Sequence, residues 1–143
     1  MKKVLTFGVF DYFHLGHLRL FKNCKKFGDY LIVGVRNGEN DNIHKIKPNS
    51  RVLYTTEQRK EILESIKEID EVVVYNDVWP DIKNIDFDVY AVGGDQTHDA
   101  HVKAMAWAEQ NGKEVVHIPR TEGICSTDIK KRLVEEELKQ NEK

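Results

Sequence analysis

Short apolar runs alternate along this chain with longer stretches of helical spacing. The strand-like runs are Lys3–Phe7, Tyr30–Val35, Glu71–Tyr75, Val89–Val92 and Glu114–Ile118. Helical patterns fall between them at His17–Phe27, Thr56–Ile66 and Ala100–Gln110, and a fourth follows the last strand at Thr127–Gln140. The first helical stretch carries Leu18, Leu20, Phe21, Cys24 and Phe27, a broad apolar stripe. Thr55 and Gln58 have capping-box spacing, and Gly112 sits where a helix C-terminal glycine belongs. Strands alternating with helices predict an α/β fold whose parallel sheet is covered on both faces. Right-handed crossovers then give one Rossmann-like, doubly wound domain over residues 1–143, with a five-stranded parallel sheet. Ligands bind such sheets beyond the C-terminal strand ends, where His14, Asp95 and Arg120 would lie. The polar segment Asn37–Leu53, with Pro48, is longer than most strand-to-helix connections and reads as a functional or a mobile loop.

Composition narrows the function classes. A chain of 143 residues holds one proper core and not two. Its net charge of −2 gives no global electrostatic case for nucleic acid or an anionic membrane, so any anion site must be local. Cys24 and Cys125 lie far apart with no metal-ligand spacing, which suits a reducing compartment. The opening Met-Lys-Lys precedes an apolar run interrupted by Gly8 and Asp11, too short for a signal peptide or membrane span. The expectation is a cytoplasmic protein with no membrane partner.

Two segments carry candidate chemistry. His14-Leu15-Gly16-His17 follows the first strand and opens a helix. Unpaired N–H groups at a helix N-terminus attract phosphate, and Gly16 allows close approach. The bland alternative is that both histidines only cap the helix and fill a turn. A metal site is disfavoured, because no third ligand is fixed by local spacing. The second segment, Arg120 to Thr127, runs from the last strand into the C-terminal helix. Ser126 or Thr127 is a natural N-cap, whereas Arg120 can reach the same crevice as a planar phosphate ligand. His98 and His101 flank Asp99 and predict a polar helix N-terminus, ahead of acceptor recognition or a metal.

Taken in this order at opposite ends of one domain, the two segments resemble the signatures of the small cytidylyltransferases of the HxGH nucleotidyltransferase superfamily. The likeness is nearest to the members acting on glycerol 3-phosphate, and extends to those for choline and ethanolamine phosphates. Gly8-Val9-Phe10-Asp11 through His17 matches the first signature and Arg120–Thr127 the second. Gly28-Asp29-Tyr30, Glu57-Gln58-Arg59 and Ile69-Asp70-Glu71-Val72 extend the match across most of the chain. The resemblance implies transfer of CMP from CTP to a small alcohol phosphate, with release of pyrophosphate. It also implies Mg²⁺ accompanying the CTP through phosphate oxygens, no metal-ligating side chains, and a homodimer.

The same resemblance assigns His14, His17, Lys47 and Arg120 to catalysis. It places Phe7, Gly8, Val9, Phe10, Asp11, Gly16, Lys45, Asp95, Thr121, Gly123, Ile124, Ser126 and Thr127 around the nucleotide, and Lys67, Trp79, Gln96 and His98 around the acceptor. Four positions depart from the pattern. Val9 replaces Thr, Lys67 replaces Arg, Gln96 replaces Trp and Cys125 replaces Ser. They bear on substrate identity more than on reaction type. Two other readings stay open: an adenylyltransferase for a sugar or polyol phosphate, and a non-catalytic nucleotide sensor.

Overall fold

A computed structural model describes residues 1–10, 13–38, 54–93, 99–119 and 134–135. Its strands are β1 (Lys3–Gly8), β2 (Tyr30–Arg36), β3 (Glu71–Tyr75), β4 (Val89–Gly93) and β5 (Glu114–Ile118). The helices are α1 (Leu15–Cys24), α2 (Thr56–Glu64), α3 (Val78–Asp81) and α4 (Asp99–Gln110). All strand pairs are parallel, in the order β3-β2-β1-β4-β5. The expected five strands are therefore all present, in one doubly wound sheet. The short α3 escapes periodicity because it has only four residues, one of them Pro80. Apart from Val134 and Glu135, the helix expected at Thr127–Gln140 lies outside the described residues.

The central strands β1, β2 and β4 are apolar on both faces because both faces are covered, whereas the edge strands β3 and β5 expose Glu71, Val74, Glu114 and His117. Val4, Leu31 and Val33 pack on one side with Phe21 and Cys24 of α1 and Leu63 of α2. Leu5, Phe7 and Ile32 pack on the other with Ile82 and with Ala104 and Ala108 of α4. Gly34 lies under the Phe7 ring, and a Cβ there would stand 2.4 Å from Phe7 Cδ1. The missing side chain lets Phe7 reach Tyr75, their ring centroids 4.7 Å apart. Burial pushes the Cys24 thiol up to about 12, so it stays protonated and unreactive at neutral pH.

Carboxylates fasten the N-terminal edge of the sheet. Asp29 accepts the Lys2 N–H, Asp88 accepts the Lys3 N–H at 2.8 Å, and Asp70 accepts the Leu31 N–H at 2.8 Å. Asp70 also takes the Lys25 ammonium at 2.6 Å. Partial burial pushes its pKa up, but Lys25 and the Leu31 N–H outweigh that and hold it below the usual carboxylate value. A pKa lower in the folded than in the unfolded chain stabilises the protein above the unfolded value, and this is lost as pH falls through the folded one. With its side chain 33% exposed, Asp70 is partly screened by solvent. Asp70→Asn should cost about 1 kcal/mol in urea unfolding at pH 7, and the gap from wild type should narrow by pH ~3.

The C-terminal edge is different. Strand order reverses between β1 and β4, the switch point at which doubly wound sheets bind ligands. Among the described residues the β1–β4 ladder includes Val4↔Val89 and Leu5↔Tyr90, and β1 is paired with β2 through Gly8↔Val35. The chain that follows β1 carries the His motif.

Candidate active site

The path from β1 into α1 is shaped by aromatic packing. Phe10 has φ of 55°, a left-handed conformation that costs a bulky residue roughly 1–2 kcal/mol. Its buried ring covers Gly8, where a Cβ would lie 2.6 Å from Phe10 Cζ. The ring meets Phe21 at 5.3 Å and, edge-on, His17 at 5.3 Å. Phe13 flanks the same imidazole at 5.4 Å. His17 is thus held by two phenyl rings before any ligand is considered.

Both histidines take part in capping α1. The Gly16 N–H donates to His14 Nδ1 at 3.0 Å, and the His14 N–H donates to His17 Nδ1 at 3.3 Å. The reciprocal pattern is a capping box with imidazoles in place of the usual hydroxyl and carboxylate. An Nδ1 that accepts carries no proton, so each neutral ring bears its N–H at Nε2. The rings stack with centroids 3.8 Å apart and planes 21° apart. Two stacked imidazoles therefore belong to the helix N-terminus, where backbone dipoles favour negative charge. Capping engages Nδ1 of each ring.

Several expected site residues have other duties. Phe7 is 1% exposed, its ring edge-on to Tyr90, so strand alternation commits its side chain to the core. Phe10 supports His17 from the core. Gly16 gives its N–H to the cap, and the Val9 carbonyl accepts from Arg59 Nη1 at 2.8 Å. Lys67 is exposed between α2 and β3, where the Asp70 N–H meets the Leu31 carbonyl at the start of β2. That is the N-terminal edge of the sheet, so within this chain Lys67 is not brought to the His motif.

Trp79 does follow the C-terminal end of β3. It is half-buried, joined to Pro80 by a cis peptide, and carries Lys83 Nζ 4.8 Å from its ring centroid. His101 departs from the polar helix end expected of it. It is 4% exposed, with Nδ1 2.7 Å from the Tyr90 hydroxyl. Burial pushes the Tyr90 phenol above its usual range, so it keeps its proton and the pair joins α4 to β4. Asp11, Lys45, Lys47, Asp95, Gln96, His98, Arg120, Thr121, Gly123, Ile124, Ser126 and Thr127 lie outside the described residues.

Two buried arginines and an aspartate were missed from sequence. Arg36, at the end of β2, is 2% exposed and reaches Asp77 Oδ1 at 3.2 Å, with its guanidinium carbon 6.0 Å from the Tyr75 ring centroid. Arg59 is 1% exposed. The available signal was positional. Arg36 ends an apolar run, and Arg59 sits one turn before the buried Leu63, so both charges fall on core-facing positions.

Residues 5–132 match the cytidylyltransferase-like family. The chain is 39% identical over 135 residues to the glycerol-3-phosphate cytidylyltransferase of Bacillus spizizenii, which covers 92% of this chain and 96% of that protein. It is 41% identical over 101 residues to the FAD synthase of Ferroglobus placidus, 69% of this chain and 63% of that protein. The lipopolysaccharide core biosynthesis protein from Thermoplasma volcanium GSS1 shares the fold, with a TM-score of 0.67 at 24% identity over 85% of this chain and 97% of that one. This chain belongs to the cytidylyltransferase-like family.

Proposed function

We propose that the protein transfers CMP from CTP to a small alcohol phosphate, glycerol 3-phosphate first among them, releasing pyrophosphate. The observation that carries this reading is the stacked His14/His17 pair, each ring accepting a main-chain N–H at Nδ1, at the helix N-terminus beside the sheet's switch point. A phosphate oxygen of the acceptor attacks the α-phosphorus of CTP. The new P–O bond forms as the bond to the β-phosphate oxygen breaks. Charge grows on the phosphate oxygens, and fixed imidazole N–H donors stabilise it without reorganising. Mg²⁺ travelling with CTP supplies further charge neutralisation through the phosphate oxygens. Lys47, Lys45, Arg120, Ser126 and Thr127 would hold the triphosphate from the opposite side, with Asp95 near the base. A homodimer in the cytoplasm completes the proposal, and no described helix is long and apolar enough to cross a membrane.

The test is a coupled pyrophosphate assay crossing the four nucleoside triphosphates with glycerol, choline, ethanolamine and longer polyol phosphates, with and without Mg²⁺. Release should require CTP, Mg²⁺ and an alcohol phosphate together, and should be fastest with glycerol 3-phosphate. Turnover with ATP but not CTP would transfer the assignment to adenylyl transfer. Tight CTP binding with no turnover across the panel would make the protein a nucleotide sensor.

A further inference from the structure

We infer that Arg59 is a positioning residue for this reaction, locking the left-handed turn at Phe10 and the base of the β2–α2 connection into one unit. The inference rests on the proposed transfer at the His14/His17 site. Arg59 Nη1 donates to the carbonyls of Val9 and Arg36, each at 2.8 Å. Its Nη2 donates to Thr56 Oγ1 at 3.1 Å and its Nε to the Tyr54 carbonyl at 3.2 Å. One planar fork thereby joins the loop leaving β1, the end of β2 and the approach to α2.

The Val9 contact matters most. That carbonyl belongs to the peptide plane whose rotation relative to Phe10 Cα defines the Phe10 φ angle of 55°. A left-handed bulky residue persists only where its surroundings over-determine it. Arg59 holds the plane on one side, and the packing of Phe10 on Phe21 and His17 holds the ring on the other. The second joint closes the base of the connection over residues 39–53, which includes Lys45 and Lys47. Its near ends meet where the Gly38 N–H donates to Thr56 Oγ1 at 2.9 Å. A Cβ on Gly38 would stand 2.7 Å from Arg59 Nη2, so this position must stay bare for the guanidinium to fit.

Stability alone is a poor explanation for this group. A buried guanidinium is costly to desolvate, and an apolar residue of similar volume is often neutral or stabilising in its place. An apolar residue, however, cannot fix the direction of three carbonyls. A lysine cannot either, because its donors radiate from one point and lack the fork.

Arg59→Met, Arg59→Lys and Gly38→Ala should be compared with wild type for thermal stability, for kcat and KM, and for the imidazole ¹⁵N shifts of His14 and His17. With the midpoint retained, Arg59→Met should lose about 30-fold or more in kcat while KM for CTP moves less than about threefold, since the lost contact acts on transition-state geometry. Arg59→Lys should fall between Met and wild type, and Gly38→Ala should lower kcat with Arg59 still present. The ¹⁵N shifts should change from one Nε2–H tautomer per ring to an averaged pattern. A folded Arg59→Met with kcat within threefold of wild type and unchanged shifts overturns the inference. Should that variant fail to fold, unchanged kcat and shifts in Gly38→Ala overturn it instead. An inactive wild type refutes the proposed reaction alone, because the shifts still report whether Arg59 sets the two rings.

Discussion

His17→Ala should lower turnover by about 10²–10³-fold, because it deletes one preorganised donor at the reacting phosphate. The cost to stability should be only about 1 kcal/mol, the usual value of a lost helix cap. His14→Asn separates the two uses of these rings. Asparagine is a good N-cap, so α1 should keep its stability while the Nε2–H donor disappears. Near-wild-type thermal midpoints with turnover down at least tenfold in both variants would assign the pair to chemistry. Near-normal turnover in both would leave them as helix caps and remove the basis for the site.

Gly8→Ala should have the largest combined effect on stability and activity. The added methyl group meets Phe10 Cζ at 2.6 Å and two further ring carbons at 2.9 Å. The ring has nowhere to retreat: it is 6% exposed, wedged against Phe21 and His17, on a backbone already in the left-handed region. Overpacking of this kind costs about 1–3 kcal/mol. Displacement of Phe10 should also carry His17 out of register and lower turnover at least tenfold. Combining Gly8→Ala with Phe10→Leu should be less damaging than the sum of the single changes, since the smaller side chain relieves the clash. Additive losses in denaturant unfolding would show that the two positions do not compete for space.

What could be read from sequence follows the range over which each residue's role is set. The His motif was legible because strand, turn, helix and both imidazoles lie within a few positions of one another, and the capping geometry is local. Burial of the runs at β1, β2 and β4 was legible for the same reason, whereas the runs at β3 and β5 form half-exposed edge strands, a position set only by the order of strands in the sheet. Phe7 was assigned to the nucleotide by resemblance, yet the alternation of β1 puts its ring with Leu5 on a covered face. Lys67 was assigned by resemblance, although a residue just before a strand must lie at that strand's beginning, away from a site at strand ends. Arg36, Asp77 and Arg59 were illegible as partners. The Arg36 carbonyl and the Arg59 fork meet only once β2 and α2 have packed, 23 positions apart in sequence. His101 looked polar in a polar turn, and only the packing of α4 on β4 shows that Tyr90 claims it.

The carboxylates along the N-terminal edge have a consequence for how this enzyme could change. Asp29, Asp70 and Asp88 fasten main-chain N–H groups at one end of the sheet, while the His motif and Trp79 lie at the other. Folding stability and substrate choice thus draw on separate stretches of chain that share only the strands between them. A laboratory selection for a new acceptor can vary the loops after β2, β3 and β4 without loosening those fastenings. The same division gives a lineage room to exchange one alcohol for another while the scaffold stays intact.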